Sequence, residues 1–82
     1  MSAIVKDNRM QDSLAILGKR IRILREERGW SQEKFAEKCG FDRTYISLLE
    51  RGKRNPSYVN LLKVAEGLEI SISDFLNIPN GT

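Results

Sequence analysis

A chain of 82 residues with one cysteine, no histidine and a net charge of +3 fits one domain that buries a modest core without disulfide or metal. It holds no intramolecular disulfide, metal-ligand cluster, glycine-rich phosphate loop or apolar run near the ~18 residues that span a bilayer. Lys6, Asp7, Asn8 and Arg9 interrupt any signal-peptide pattern, so the expectation is a soluble cytoplasmic protein without cofactor.

The charge alone argues weakly for nucleic acid, but its distribution says more. Residues 56–82 hold Lys63 against Glu66, Glu69 and Asp74, which leaves the positive excess in the earlier part of the chain.

Residues 1–11, MSAIVKDNRMQ, show no convincing period and are expected to be a mobile extension. The sharper alternative is an arm whose Lys6 and Arg9 reach DNA, as basic arms do in minor grooves. From Asp12 or Ser13, the spacing of Leu14, Leu17, Ile21 and Leu24 predicts an amphipathic helix that Gly29 terminates. Lys19, Arg20, Arg22 and Arg28 on its other side read as a solvated face, with flanking phosphates as the alternative.

Ser31 to Gly52, SQEKFAEKCGFDRTYISLLERG, reads as helix, tight turn, helix. Ser31 can cap the first helix, with Trp30 and Phe35 at the positions of a hydrophobic staple. Gly40 can take the left-handed conformation that ends it, and Asp42 is placed to cap the second. Ala36 lets the helices approach closely while Phe35, Cys39, Phe41, Ile46 and Leu49 fill the space between them. Cys39 falls on an apolar face and is expected to be a packed, reduced thiol.

At about 100° per residue, Arg43, Thr44, Ser47, Leu48 and Arg51 share one side of the second helix, Ile46 and Leu49 the other, with Tyr45 at the boundary. A helix exposing Arg and Thr in its first turn suits the major groove of DNA. Arg can bond guanine O6 and N7 together, Thr and Ser can bond base edges or phosphates, and the Thr methyl can pack on thymine.

After Gly52, Lys53-Arg54-Asn55-Pro56 forms a basic loop placed to grip the backbone. Ser57 then caps a helix whose Val59, Leu61, Leu62, Val64, Ala65 and Leu68 are expected in the core. Ser71 with Asp74 three residues later approximates a capping box for a last short helix. Its Phe75 and Leu76 can close the core, which leaves Ile72 and Ile78 with little to cover. Residues 79–82 read as a C-terminal tail, so the organisation expected is an extension (1–11), a domain (12–78) and a tail.

Ser31-Gln32, Ala36, Gly40, Ile46, Leu49-Glu50-Arg51-Gly52 and Asn55-Pro56, at this spacing, resemble the Cro/repressor-type (XRE-like) helix-turn-helix family over about Leu14 to Leu76. Asp42-Arg43-Thr44-Tyr45-Ile46-Ser47, Glu50-Arg51 and Arg54-Asn55 are similar to controller proteins of restriction-modification systems. The resemblance implies an all-α five-helix bundle of the lambda-repressor-like type and a structural pair between Arg25 and Glu50. It implies a Gln32 that bonds a phosphate and braces the recognition helix, and DNA contacts from Arg54 and Asn55. It further implies a two-fold interface at the last helices, for which Ile70, Ile72, Leu76 and Ile78 are the candidates. The competing reading is that these residues only finish the core.

The function expected is a sequence-specific, double-stranded DNA-binding transcription regulator acting as a homodimer. Two recognition helices about 34 Å apart would meet a near-palindromic operator. Base contacts are assigned to Arg43, Thr44, Tyr45, Ser47 and Arg54, and backbone contacts to Gln32, Arg51, Lys53 and Asn55. The controller resemblance implies autoregulation, activation of a restriction gene and RNA polymerase as a further partner. Phage repressor or Cro, antitoxin, and a protein-binding module without DNA affinity are the alternatives. No membrane or small-molecule ligand is expected, and no nucleophile, base and orienting group suggest an enzyme.

Overall fold

The computed structural model describes residues 2–79, with side chains from Arg9 onward. Five helices follow in order: α1 (Ser2–Glu27), α2 (Gln32–Cys39), α3 (Arg43–Glu50), α4 (Tyr58–Leu68) and α5 (Ile72–Leu76). Among the described residues the fold is all-helical, as expected. Asn80, Gly81 and Thr82 of the expected tail lie outside the described residues, and so does Met1.

Helix boundaries follow the local chemistry closely. Ser31, Ser57 and Ser71 each accept a bond from the amide three residues on, at 3.0, 3.1 and 3.0 Å, satisfying one of the orphan donors of α2, α4 and α5. Trp30 and Phe35 stack with centroids 6.2 Å apart, which fixes the entry into α2 as a staple does. Gly40 ends α2 at φ 76°, in the conformation that costs glycine little. Asp42 departs from expectation. It occupies the N-cap position of α3 with extended backbone, yet its side chain makes no capping bond; only its charge acts on the helix end.

The larger departure is at the start of the chain. α1 begins at Ser2 rather than at Asp12 or Ser13. Residues 2–11 contain neither Gly nor Pro, so the helix nucleated by the amphipathic run can propagate outward without needing a buried face of its own.

The core joins Ile21 and Leu24 of α1, Phe35, Ala36 and Cys39 of α2, Ile46 and Leu49 of α3, Val64, Ala65 and Leu68 of α4, and Phe75 of α5. Leu61 is half-buried, but Val59 is 61% and Leu62 38% exposed. The expectation that they belong to the core was wrong, because α4 is apolar around most of its circumference and only one stripe meets α2. Arg20 and Arg28 are not a solvated face either. Arg20 donates to the carbonyls of Phe75 and Asp74 at 3.0 and 2.8 Å, and Arg28 to those of Leu68 and Leu24 at 3.0 and 2.9 Å. Both satisfy carbonyls at helix C-terminal ends, where cations are favoured, and tie α1 to α4 and α5. Arg22 pairs with Glu26 at 3.2 Å in the open.

Cys39 packs so closely on Gly67 that a Cβ there would stand 2.5 Å from its Sγ. Burial pushes the thiol from an ordinary 9.0 up to about 12. The folded protein should therefore react with an aromatic disulfide reagent at pH 8 about a thousandfold more slowly than the unfolded chain, since the thiolate is the nucleophile. Because the folded pKa is raised, this stabilisation is complete below pH 9 and declines as pH rises toward 12. Urea titrations across pH 8–11 should show that decline in the wild type and less of it in Cys39→Ala. A rapidly labelled thiol in the folded state would contradict the packing.

Candidate nucleic-acid interface

α3 is two-faced. Ile46 and Leu49 are buried, while Arg43, Thr44 and Arg51 are exposed and Ser47 and Leu48 half-buried. The angular reading of the helix therefore matches its burial. Lys53, Arg54 and Asn55 are exposed immediately beyond it. Among the described residues, no hydrogen bond or ion pair occupies the side chains of Arg43, Thr44, Arg51, Lys53 or Arg54. Four cations and a hydroxyl thus stand without partners along one helix and its following loop, where an external anion is the natural complement.

A buried polar knot holds this helix in place. Glu50 accepts from Arg25 Nε at 2.6 Å and from its second terminal nitrogen at 3.0 Å, a two-pronged pair that links α1 to the end of α3. The remaining Arg25 terminal nitrogen donates to the Trp30 carbonyl at 2.7 Å, so the guanidinium spans three segments. Glu50 holds the guanidinium pKa above its ordinary value against the opposing effect of burial. Gln32 Nε2 donates to Glu50 Oε1 at 3.0 Å, so α2 is tied to the same carboxylate. The pairing of Arg25 with Glu50 and the bracing by Gln32 are both present.

Tyr45 has a second attachment that the sequence did not reveal. Its hydroxyl accepts from Asn60 Nδ2 of α4 at 3.0 Å, and its ring packs on Phe41 with centroids 4.7 Å apart. Lys63 lies 5.4 Å from the Phe41 ring, within cation–π range. Asn60 thereby sets the direction of a side chain at the edge of the exposed face. The signal was faint: a polar residue three positions after the Ser57 cap.

Other basic residues point elsewhere. Lys38 Nζ sits 4.5 Å from the centroid of Trp30 and 3.9 Å from Glu69, and Lys34 lies 3.8 Å from Glu37. An open hollow of about 610 Å³ in front of α2 and the start of α3 is lined by Glu33, Glu37 and Asp42 as well as Lys34 and Arg43. Its mixed charge makes it a poor anion site, so the cationic strip runs along α3 and the 53–54 loop instead.

The four apolar candidates near the C-terminus are dispersed. Ile70, Ile72 and Ile78 are half-buried and Leu76 is 42% exposed. Ile70 and Ile72 share a shallow groove of about 440 Å³ with Val59 and Leu62. Leu76 and Ile78 do not line it. No helix among the described residues is long and apolar enough to cross a membrane, and no group of residues there could hold a metal ion.

Comparison with known proteins agrees with this geometry. The helix-turn-helix family model HTH_3 matches residues 21–75. The control protein C.MunI of a Mycoplasma species is 44% identical over 69 residues, covering 83% of this chain and 93% of the relative. The crystal structure of the restriction-modification controller C.AhdI of Aeromonas hydrophila superposes with a TM-score of 0.76 at 44% identity, covering 78% of this chain and 97% of that one. The controller C.Esp1396I, seen as a tetramer in complex with its natural 35 base-pair operator, gives a TM-score of 0.72 at 40% identity over 76% of this chain and 82% of its own. Against a hypothetical transcription factor of Neisseria meningitidis, 41% identical over 69 residues, the match takes in 84% of this chain but only 65% of the relative. With the match to residues 21–75 and these relatives, the chain belongs to the XRE-type helix-turn-helix family HTH_3, and within it is similar to restriction-modification controller proteins.

Proposed function

We propose that this chain is a transcription regulator, not an enzyme, that binds double-stranded DNA sequence-specifically as a homodimer on a near-palindromic operator. The observation that carries the reading is the strip of unpartnered polar and cationic side chains on α3 and its following loop, held on a helix locked by Arg25, Glu50 and Gln32. Arg43, Thr44 and Ser47 read bases from the first two turns of α3, and Arg54 reaches a base or phosphate from the loop. Arg51, Lys53 and Asn55 hold the backbone, joined by Gln32 through whatever hydrogen-bonding capacity Glu50 leaves it. Tyr45, with its hydroxyl already engaged by Asn60, offers its ring edge to a thymine methyl or its hydroxyl to a phosphate.

One monomer covers too little DNA for a long operator, and dimerisation places two such helices about one turn of B-DNA apart. The interface is assigned to Ile70, Ile72, Leu76 and Ile78 within the domain 12–78. Val59 and Leu62, exposed beside Ile70 and Ile72, enlarge that apolar surface. Similarity to restriction-modification controller proteins supports a controller role; in the proposed form of that role the dimer autoregulates, repressing when occupancy is high, and activates a restriction gene with RNA polymerase as a further partner.

Arg43→Ala tests the assignment of base reading. The variant should lose about 1–3 kcal/mol of operator affinity and become indifferent to one base position in each half-site. Titration of wild type and variant against matched and singly mismatched duplexes gives the answer. Equal weakening on every duplex would make Arg43 a phosphate contact.

A further inference from the structure

Asn60 stands at the third position of α4, where its main-chain amide donates to the Ser57 hydroxyl at 3.1 Å. A polar side chain at this position commonly folds back on the cap. This one crosses instead to α3 and donates from Nδ2 to the Tyr45 hydroxyl at 3.0 Å. The Tyr45 ring is held from another side by Phe41, with centroids 4.7 Å apart and planes inclined by 53°. All three residues are half-buried, so ring and hydroxyl have a fixed place at the margin of α3.

The direction of that bond has a chemical consequence. An amide nitrogen can only donate, so the Tyr45 oxygen is the acceptor and its own proton is left over. Among the described residues no oxygen accepts that proton. Tyr45 therefore offers a donor to whatever lies outside. Its bearing is about 200° from Arg43 around the helix, beyond the arc of Arg43, Ser47, Arg51 and Thr44. When that arc faces base edges in a major groove, a residue on its flank meets the groove wall, which is sugar and phosphate. Phosphodiester oxygens accept and never donate, so the polarity of Tyr45 matches them.

We infer that Asn60 is a positioning residue for DNA binding: by donating to the Tyr45 oxygen it turns the phenolic proton toward a backbone phosphate of the half-site. The inference rests on the DNA-binding reading of α3 and narrows the role of Tyr45 within it to a phosphate contact. Such a contact adds affinity and fixes the register of α3 without reading a base.

The test uses the full-length chain and the duplex that the wild type itself selects. Wild type, Tyr45→Phe, Asn60→Ala, Asn60→Asp and the two doubles that combine Tyr45→Phe with either Asn60 change are titrated on it. The same titrations are run on duplexes in which single phosphates are replaced by methylphosphonate. A carboxylate in the first turn of a helix is favourable, so Asn60→Asp should fold, and urea unfolding verifies every variant. An ionised carboxylate only accepts; it draws the phenolic proton inward and leaves oxygen lone pairs facing the phosphate.

Tyr45→Phe should bind about tenfold more weakly, the scale of one lost hydrogen bond to a charged acceptor. Asn60→Asp should lose at least about as much. Asn60→Ala should lose only about threefold, because a freed hydroxyl can still turn its proton to the DNA. In the Tyr45→Phe background Asn60→Ala should have almost no effect, and Asn60→Asp should lose at least about threefold less than it does beside an intact Tyr45, since only its added charge then acts. One methylphosphonate in each half-site should weaken the wild type at least about threefold more than it weakens Tyr45→Phe. Preference for matched over mismatched base pairs should be the same in all variants.

Equal losses for Asn60→Ala and Asn60→Asp that persist without the Tyr45 hydroxyl would make Asn60 a packing contact and overturn the inference. An Asn60→Asp variant that binds like wild type would do the same, by showing that the phenol donates inward. A Tyr45→Phe loss confined to one base position would assign the proton to a base acceptor and sink the phosphate contact. Each of these leaves the reading of α3 intact; a wild type with no preference over scrambled DNA would overturn that reading and this inference with it.

Discussion

Glu50→Ala is expected to cost about 3–5 kcal/mol of folding stability, the usual penalty for removing one member of a buried ion pair. The carboxylate is 3% exposed and the arginine side chain 10%, so the pair is largely shielded from solvent. Truncation would leave the Arg25 guanidinium with the Trp30 carbonyl as its remaining buried partner and Glu26, 3.9 Å away in the open, as its one remaining carboxylate, and would strip Gln32 of its acceptor. Against a domain stability on the order of 5–15 kcal/mol, the variant should melt at a much lower temperature or fail to fold at 37 °C.

The cost measures an orphaned charge more than the net worth of the pair. Arg25→Met combined with Glu50→Leu should therefore recover at least half of the lost stability, since well-packed apolar pairs often equal buried ion pairs. Urea unfolding of the three variants decides it. A loss below about 1 kcal/mol for Glu50→Ala would mean that the pair is screened like a surface bridge. The raised pKa of Arg25 adds a sign: its stabilisation is complete at every pH below the ordinary arginine value and is lost only as pH rises beyond it. Alkaline weakening in the pH 9–12 range belongs to Cys39 instead.

Gly18→Ala is the second large effect, and its direction opposes helix propensity. In an exposed helix interior the change would stabilise by about 1 kcal/mol. Gly18 is buried where α1 crosses the end of α3. A Cβ there would stand 2.6 Å from the Glu50 carbonyl oxygen and closer still to that of Leu49. These are backbone atoms of the recognition helix and cannot rotate aside, so the two helices must separate. Overpacking of this kind costs about 1–3 kcal/mol and at times more. After the propensity gain, a net loss of up to about 2 kcal/mol is expected by thermal or urea unfolding. Operator affinity should fall as well, because the displaced element carries Arg43 and Thr44. An alanine variant more stable than wild type would show that the crossing is looser than described.

These two sites mark where sequence reading succeeded and where it stopped. The motif was legible because its signals are local: Ser31 with an amide three residues on, Trp30 against Phe35, and Gly40 in the left-handed region all act within one or two turns. The Arg25–Glu50 pair, 25 residues apart, came only through family resemblance. Gly18 stayed silent, because a mid-helix glycine does not announce which backbone will lie against it. Arg20 and Arg28 were misjudged for a similar reason, since their carbonyl acceptors lie as far as 55 and 40 residues away.

Periodicity misled in two opposite ways. In α4 an abundance of apolar residues suggested more core than one helix face can bury, and Val59 and Leu62 emerged exposed. In residues 2–11 the absence of a period suggested no helix, although α1 runs through them. A hydrophobic period reports a buried face; it does not report helicity. Val59 and Leu62 lie on the apolar surface to which the proposed function assigns a second copy of the chain.

The central claim is that α3 reads sequence and that two copies read together. Selection from random duplex DNA at near-physiological salt, followed by titration of the winning site against scrambled DNA, tests it most directly. The account predicts a near-palindrome with half-sites about one helical turn apart, bound at least about a thousandfold more tightly than scrambled DNA. Absence of enrichment, with weak binding that disappears as salt rises, would reduce the interface to its electrostatic component and contradict the claim.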